Sequence, residues 1–187
     1  MMFRRILKAL GRDRRGALAV EAAMAVPVLA VLLLGGVEVT RFVMLNQKLE
    51  RTSATVADLV SRSEKIYGAE LPTVFAAAGF SFEPFDLAGD GRVIVSSIYK
   101  TSGSLPRVIW QRAFGAGGRT SAFGTQGSNA ILPSGFVVRD GENVIVSEAF
   151  FDFVPLFTGD TVGLLDARRL STFSVMRPRF GPLTTLH

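Results

Sequence analysis

The sequence predicts an α+β chain in which a long apolar N-terminal helix continues as an amphipathic stalk and packs on a small antiparallel β-sheet domain. Three observations carry that expectation. The run Ala17 to Val37 holds a single charged residue, Glu21. From Phe42 onward, apolar residues recur at steps of three and four. Beyond Gly91, β-branched runs alternate with turn-forming Gly, Pro, Asp and Ser. With 187 residues one core is expected. Apolar residues make up 48% of the chain and charged residues 20%, with a mean hydropathy of +0.34, high for an ordinary soluble domain. The expected segments are a basic leader over residues 1–16, a helix over 17–66 and a β-rich domain over 67–187.

The leader carries the charge asymmetry. Six of the 21 basic residues (Arg4, Arg5, Lys8, Arg12, Arg14, Arg15) fall in the first fifteen positions beside one acid, Asp13. That segment accounts for the whole formal net charge of +5, and the rest of the chain is neutral. A nucleic-acid binder places basic charge on its folded face, so no nucleic-acid partner is expected. The absence of cysteine removes a thiol nucleophile, a disulfide framework, a Cys-based zinc site and a lipoprotein anchor.

The apolar run explains the leader. Twenty-one helical residues span about 30 Å, the thickness of a bilayer's hydrocarbon core. The basic flank predicts an N-terminus on the cytoplasmic side and everything after Val37 across the membrane. Ala23-Met24-Ala25 resembles a signal-peptidase site but falls too early in the run, because Leu32-Leu33-Leu34 continues beyond it. The other way to process such a chain is a cut before the run. Arg14-Arg15-Gly16 followed by Ala17 fits that, and Glu21 would then stand fifth in the mature chain. A new ammonium on Ala17 would lie one helical turn from the Glu21 carboxylate, or beside it from a neighbouring subunit. An intramembrane carboxylate costs about 2.5–3.5 kcal/mol on insertion scales, so Glu21 needs either a cation or a path to the headgroups.

This arrangement resembles the class III signal of type IV pilins and pseudopilins, cut after a glycine by a prepilin peptidase. The longer stretch RRGALAVEAAMAVPVLAVLLLGGVEVTRFVMLNQKLERTSATVADLVSR resembles the TadE/TadG-like family of the tight-adherence (Flp) pilus apparatus. The matching residues are Gly16, Glu21, Pro27, Gly35-Gly36, Glu38, Arg41, Gln47, Ala54 and Ala57. Ala22 stands where tight-adherence prepilins usually carry an aromatic, and the larger TadG-type members keep their leader. Cleavage between Gly16 and Ala17 and retention of the leader are therefore both open.

Beyond the run, Phe42, Leu45, Leu49, Thr52, Val56, Leu59 and Ile66 fall on one stripe, with Gln47, Lys48, Glu50, Arg51 and Asp58 elsewhere. A continuous helix from Ala17 to Ile66 would be about 75 Å long. Pro27 removes one backbone hydrogen bond and is the expected kink. Gly35-Gly36 offers a small-residue face for close helix contact.

In the β-rich domain, residues 67–90 read as a short helix or loops. Strands are expected over Arg92–Lys100, Arg107–Phe114 and Leu170–Met176, and a hairpin over Phe136–Val138 and Val144–Val146 around Asp140–Asn143, its second arm ending at Pro155. Residues 115–134, rich in Gly, Ser and Thr, read as a long exposed loop. The strand Val144 to Phe157 with its acidic residue, paired aromatics and Pro-Leu-Phe end also resembles the family. So do Trp110-Gln111 and the Arg177-Pro178-Arg179 close.

No residue set supports an enzyme. The sole histidine, His187, is the last residue, so a triad or a His-rich metal site is not expected. Gly115, Gly117 and Gly118 lack the Lys-Ser/Thr of a phosphate loop, and Asp86, Asp90, Asp140 and Glu142 lack calcium-loop spacing. No catalytic, metal or cofactor site is expected. The resemblance implies a single-pass protein of a bacterial inner membrane with a periplasmic β domain, acting as a minor pilin or pseudopilin, with the extracellular pilus as a second location. Implied partners are other pilins and pseudopilins through the N-terminal helix, the prepilin peptidase and the inner-membrane assembly platform. The alternative is a permanently anchored periplasmic scaffold or binding domain of the same machinery.

Overall fold

The computed structural model describes residues 15–157 and 166–187, and the architecture is α+β. Helix α1 (Arg15–Ser61) is followed by α2 (Leu71–Phe82), then by strands β1 (Gly91–Tyr99), β2 (Arg107–Phe114), β3 (Asn143–Phe153) and β4 (Arg168–Met176). The strands form one sheet in the order β2-β1-β3-β4, antiparallel throughout. Two compact units divide the chain: residues 15–41 with 155–157 and 166 form the first, and Phe42–Val154 with Ala167–His187 the second. The basic leader, apart from Arg15 and Gly16, lies outside the described residues.

In the second unit, β1 and β3 are buried along almost their whole length, because both faces of the sheet are covered. On one face lie the buried side chains of Val93, Val95, Ile145, Ala149, Phe151 and Phe153, the last two in contact with helix aromatics. Phe42 of α1 packs edge-on to Phe153 with ring centroids 5.4 Å apart, and Phe75 of α2 stacks on Phe114 at 5.5 Å. Phe82 and Phe85 both reach Phe151. On the other face, Ile98, Val108, Val144 and Val146 pack with Phe123 and Val138 from the long connection between β2 and β3. The alternation of side chains along β1 and β3 therefore feeds two small cores.

Several sequence expectations change. Helix α1 closes at Ser61, short of Ile66. Its last carbonyls accept from the Ser61 hydroxyl (at Asp58 O, 2.9 Å) and from Arg179 N (at Ser61 O, 3.0 Å). Ile66 instead forms a parallel bridge with Leu186, and His187 N donates to Ile66 O at 2.9 Å. The buried stripe runs Leu45, Leu49, Thr52, Val56 and Val60, whereas Leu59 is exposed. A straight helix of 3.6 residues per turn carries the stripe to Val60, the next i+4 position. Ser53 and Ala57 are also buried, and their small size lets α1 approach the sheet closely enough for Ser53 Oγ to donate to Ser147 O at 2.7 Å.

The hairpin expected over Phe136–Val138 and Val144–Val146 does not form, because β3 pairs with β1 and β4. The turn at Arg139–Glu142 closes on the end of β1 instead: Gly141 N donates to Lys100 O at 2.8 Å and Lys100 N to Glu142 O at 3.1 Å. Residues 115–134 are irregular but not a free loop. Phe123 is buried in the second core, and the segment pairs with the start of β2 through Val108 N to Ser128 O (3.0 Å) and Gly127 N to Val108 O (2.7 Å).

Candidate functional site

The first unit contains the residues singled out from the sequence. Gly16, Ala17, Glu21 and Pro27 all lie in α1, which runs through Pro27 unbroken. From Gly16 to Leu33 every residue of the helix is exposed, including Leu18, Val20, Met24, Leu29 and Leu32. α1 is the one helix among the described residues long and apolar enough to cross a membrane. Each such side chain stabilises by about 1.5–3 kcal/mol when removed from water. An apolar cylinder bare on all sides therefore demands lipid or other helices around it. Glu21 is the one charge within it, and among the described side chains no ion pair reaches it. Gly16 is open, with no neighbour that an added Cβ would meet. Backbone at Gly36 is likewise uncrowded, and Thr40 Oγ1 donates to Gly36 O at 2.8 Å, so its hydroxyl is satisfied within the helix.

At the far end of the apolar run stands Glu38, one of the residues matched to the family in the sequence but given no role there. It is 2% exposed. Its Oε2 and Oε1 accept from Leu156 N at 3.1 and 3.3 Å, and Arg41 Nη1 lies 3.4 Å from Oε1. The sequence signal was an acid one position past an uncharged run, with a base three residues on, the spacing of a helical ion pair.

The second unit buries another carboxylate. Glu148 sits mid-strand in β3, opposite Ile94 of β1. Its oxygens accept from the Ser121 hydroxyl and from Ala122 N at 2.8 Å, so this acid fastens the 115–134 segment to the sheet. Glu148 also borders an apolar cleft of about 340 Å³ between Phe123, Ile131, Leu132, Phe150 and Phe173. Burial pushes its carboxyl above the ordinary value of 4.5, against the downward pull of Ser121 and Ala122. The native carboxyl thus keeps its proton to higher pH than the unfolded one does. Its contribution to stability is full below the unfolded pKa and is lost as pH rises through the native one. We expect Glu148→Gln to flatten the dependence of the urea midpoint on pH as pH rises above the ordinary carboxyl value of 4.5, since Gln keeps one acceptor and cannot titrate. An unchanged slope in the variant would assign the dependence to other groups.

The Arg-Pro-Arg close serves as internal bracing. Arg177 pairs with Glu142, and Arg179 Nη2 lies 3.0 Å from Asp58 Oδ1. Arg62, ahead of Arg179, holds the Asp58 carboxyl below its usual range. Asp86 Oδ1 accepts from Ala88 N and Gly89 N, and Asp140 pairs with Lys100 at 2.9 Å. These acids are turn and ion-pair residues, and among the described residues no group of three or more His, Asp or Glu gathers around a common point.

Fold and helix together define an α+β protein carrying one N-terminal helix of membrane-crossing length. Residues 16–58 match the model of the TadE-like protein family, which bears out the resemblance read from the residues of this segment. The match spans α1 and leaves the sheet outside it. No curated protein and no solved structure matches the chain.

Proposed function

We propose that this chain is a minor pilin or pseudopilin that takes part in assembling a tight-adherence pilus. The observation that carries the reading is the exposed apolar cylinder of residues 16–33, which lies within the TadE-like match and contains one acid, Glu21, with no ion pair among the described residues. In this reading the helix is held in the bacterial inner membrane as a single pass, with the N-terminus cytoplasmic and the sheet domain periplasmic. The prepilin peptidase cuts between Gly16 and Ala17. The freed ammonium of Ala17, or that of a neighbouring pilin, then neutralises Glu21 as the helices pack. The sheet domain presents its surface to the assembly platform and to other pilins. Nothing in this mechanism requires bond chemistry by the chain itself.

The test is the mature N-terminus, read by intact mass and N-terminal sequencing from cells with and without the peptidase. A peptidase-dependent start at Ala17 supports the reading, and Glu21→Ala should then leave the protein in the membrane but abolish its entry into pili. A chain that keeps its first residues in both strains favours the permanently anchored scaffold.

A further inference from the structure

The described part of the first unit contains a short segment besides the helix. β3 ends at Phe153, and the chain continues as Pro155-Leu156-Phe157. Pro155 is buried and has no N–H, which suits a position where ladder pairing stops. The next donor, Leu156 N, is taken by both oxygens of Glu38. Leu156's own side chain is 59% exposed. A backbone donor satisfied inside the protein, next to an apolar side chain turned outward, is the arrangement a lipid boundary requires and water does not.

The depth of this strap follows from its anchor. The uncharged stretch after Glu21 ends at Val37, and Glu38 is the first charged residue beyond it. If Ala17 to Val37 fills the hydrocarbon layer, Glu38 stands at its far edge, and Leu156 is hydrogen-bonded at that level. Arg41 Nη1, 3.4 Å from Glu38 Oε1, offsets the carboxylate's charge there. We infer that Pro155–Phe157 lies against the lipid surface on the far side of the membrane, as a second apolar contact held at fixed depth by Glu38. The partner is the boundary between lipid headgroups and acyl chains. This inference rests on the membrane-spanning reading of α1.

The chain has no cysteine, so single labels can be placed without background. Full-length Leu156→Cys, Leu29→Cys and Leu105→Cys are each labelled with an environment-sensitive nitrobenzoxadiazole. They are then reconstituted at low protein density in phosphatidylcholine vesicles carrying a nitroxide either near the headgroup or at mid-chain. Leu29 reports the middle of the span and Leu105 the exposed β1–β2 connection. The Leu156 label should emit to the blue of Leu105 and lose most intensity to the shallow nitroxide, while Leu29 loses most to the deep one.

A Leu156 label that emits like Leu105, or that is shielded from water but not quenched by either lipid, overturns the inference, the second case meaning that protein covers the strap. A Leu29 label in water would instead remove the membrane-spanning reading beneath it. Glu38→Leu should reduce quenching of Leu156 by the shallow nitroxide, whereas Glu38→Gln, which keeps an acceptor for Leu156 N, should preserve it. Equal quenching in both variants also counts against the anchor.

Discussion

Trp110→Ala is expected to lower the unfolding free energy of the chain by about 3–5 kcal/mol, the cost of deleting a large buried aromatic. Trp110 is 3% exposed on β2, across from Ser97 of β1. Its indole Nε1 donates to Leu183 O at 2.7 Å, and Ser97 Oγ donates to the same carbonyl at 2.8 Å. Leu183 N in turn donates to Asn143 Oδ1 at 2.7 Å, while Asn143 Nδ2 reaches Ser97 Oγ and Ile98 O, both at 2.9 Å. Trp110, Ser97 and Asn143 thus pin the C-terminal segment at Leu183 through buried polar atoms. Alanine at 110 leaves a void and takes one donor from Leu183 O. Phenylalanine keeps most of the volume and loses only the N–H, so about 0.5–1.5 kcal/mol is expected, because Ser97 still serves that carbonyl. Asn143→Ala should cost about 1–3 kcal/mol by leaving Leu183 N buried without an acceptor. Urea unfolding of the full chain in micelles, followed by circular dichroism, ranks the three. If Trp110→Ala costs no more than Trp110→Phe, the indole is not filling the space assigned to it.

Gly115→Ala is expected to cost about 2–4 kcal/mol, combining a strained backbone conformation with overpacking. Gly115 has φ +97°, and an added Cβ would sit 2.3 Å from Gly91 O and 3.1 Å from Arg92 Cα. Both atoms belong to the backbone of β1, so no side chain can swing aside. The contacts that hold residues 115–119 should open with it: Ala116 N to Ala88 O at 2.7 Å, Arg92 Nη1 to Gly117 O at 2.6 Å, and the Arg119–Asp152 ion pair. Gly118→Ala is the matched control, since a Cβ there meets nothing. Limited proteolysis around residue 119 should accelerate in the first variant and not in the second. Equal cleavage of the two would show that the approach of Gly115 to β1 does not hold this segment.

These positions show where sequence reading stops. The φ and the crowding at Gly115 come from β1 lying beneath it, a neighbour 24 residues away that composition does not reveal. A Gly-, Ser- and Thr-rich stretch reads as an exposed loop because most of its anchors are backbone hydrogen bonds to distant segments, which leave no mark on its composition. One aromatic, Phe123, enters the core, and one acid, Glu148, holds it from another strand. The failed hairpin at Asp140–Asn143 has the same origin. A turn does form near Gly141, as its residues favour, but Lys100 at the end of β1 supplies the backbone partner expected of Phe136–Val138. His187, read as a loose terminus, is tied to Ile66 and Gly68 by backbone hydrogen bonds and stands 5.6 Å from the Tyr67 ring. Long-range pairing of this kind leaves no periodic trace in either segment.

By itself the sequence determined what local periodicity and transfer free energy can decide. The apolar run Ala17–Val37, the lone charge at Glu21, the amphipathic stripe from Leu45 to Val56 and the β-branched runs of β1, β2 and β4 all follow from residue order, because each depends on neighbours within a few positions. Tertiary structure alone decided the strand order β2-β1-β3-β4, the end of α1 at Ser61, and the partners of Glu38 and Glu148. Those outcomes rest on pairs far apart in the chain. Glu38 and Leu156 are 118 positions apart, Ser53 and Ser147 are 94 apart, and only the closed fold brings each donor to its acceptor.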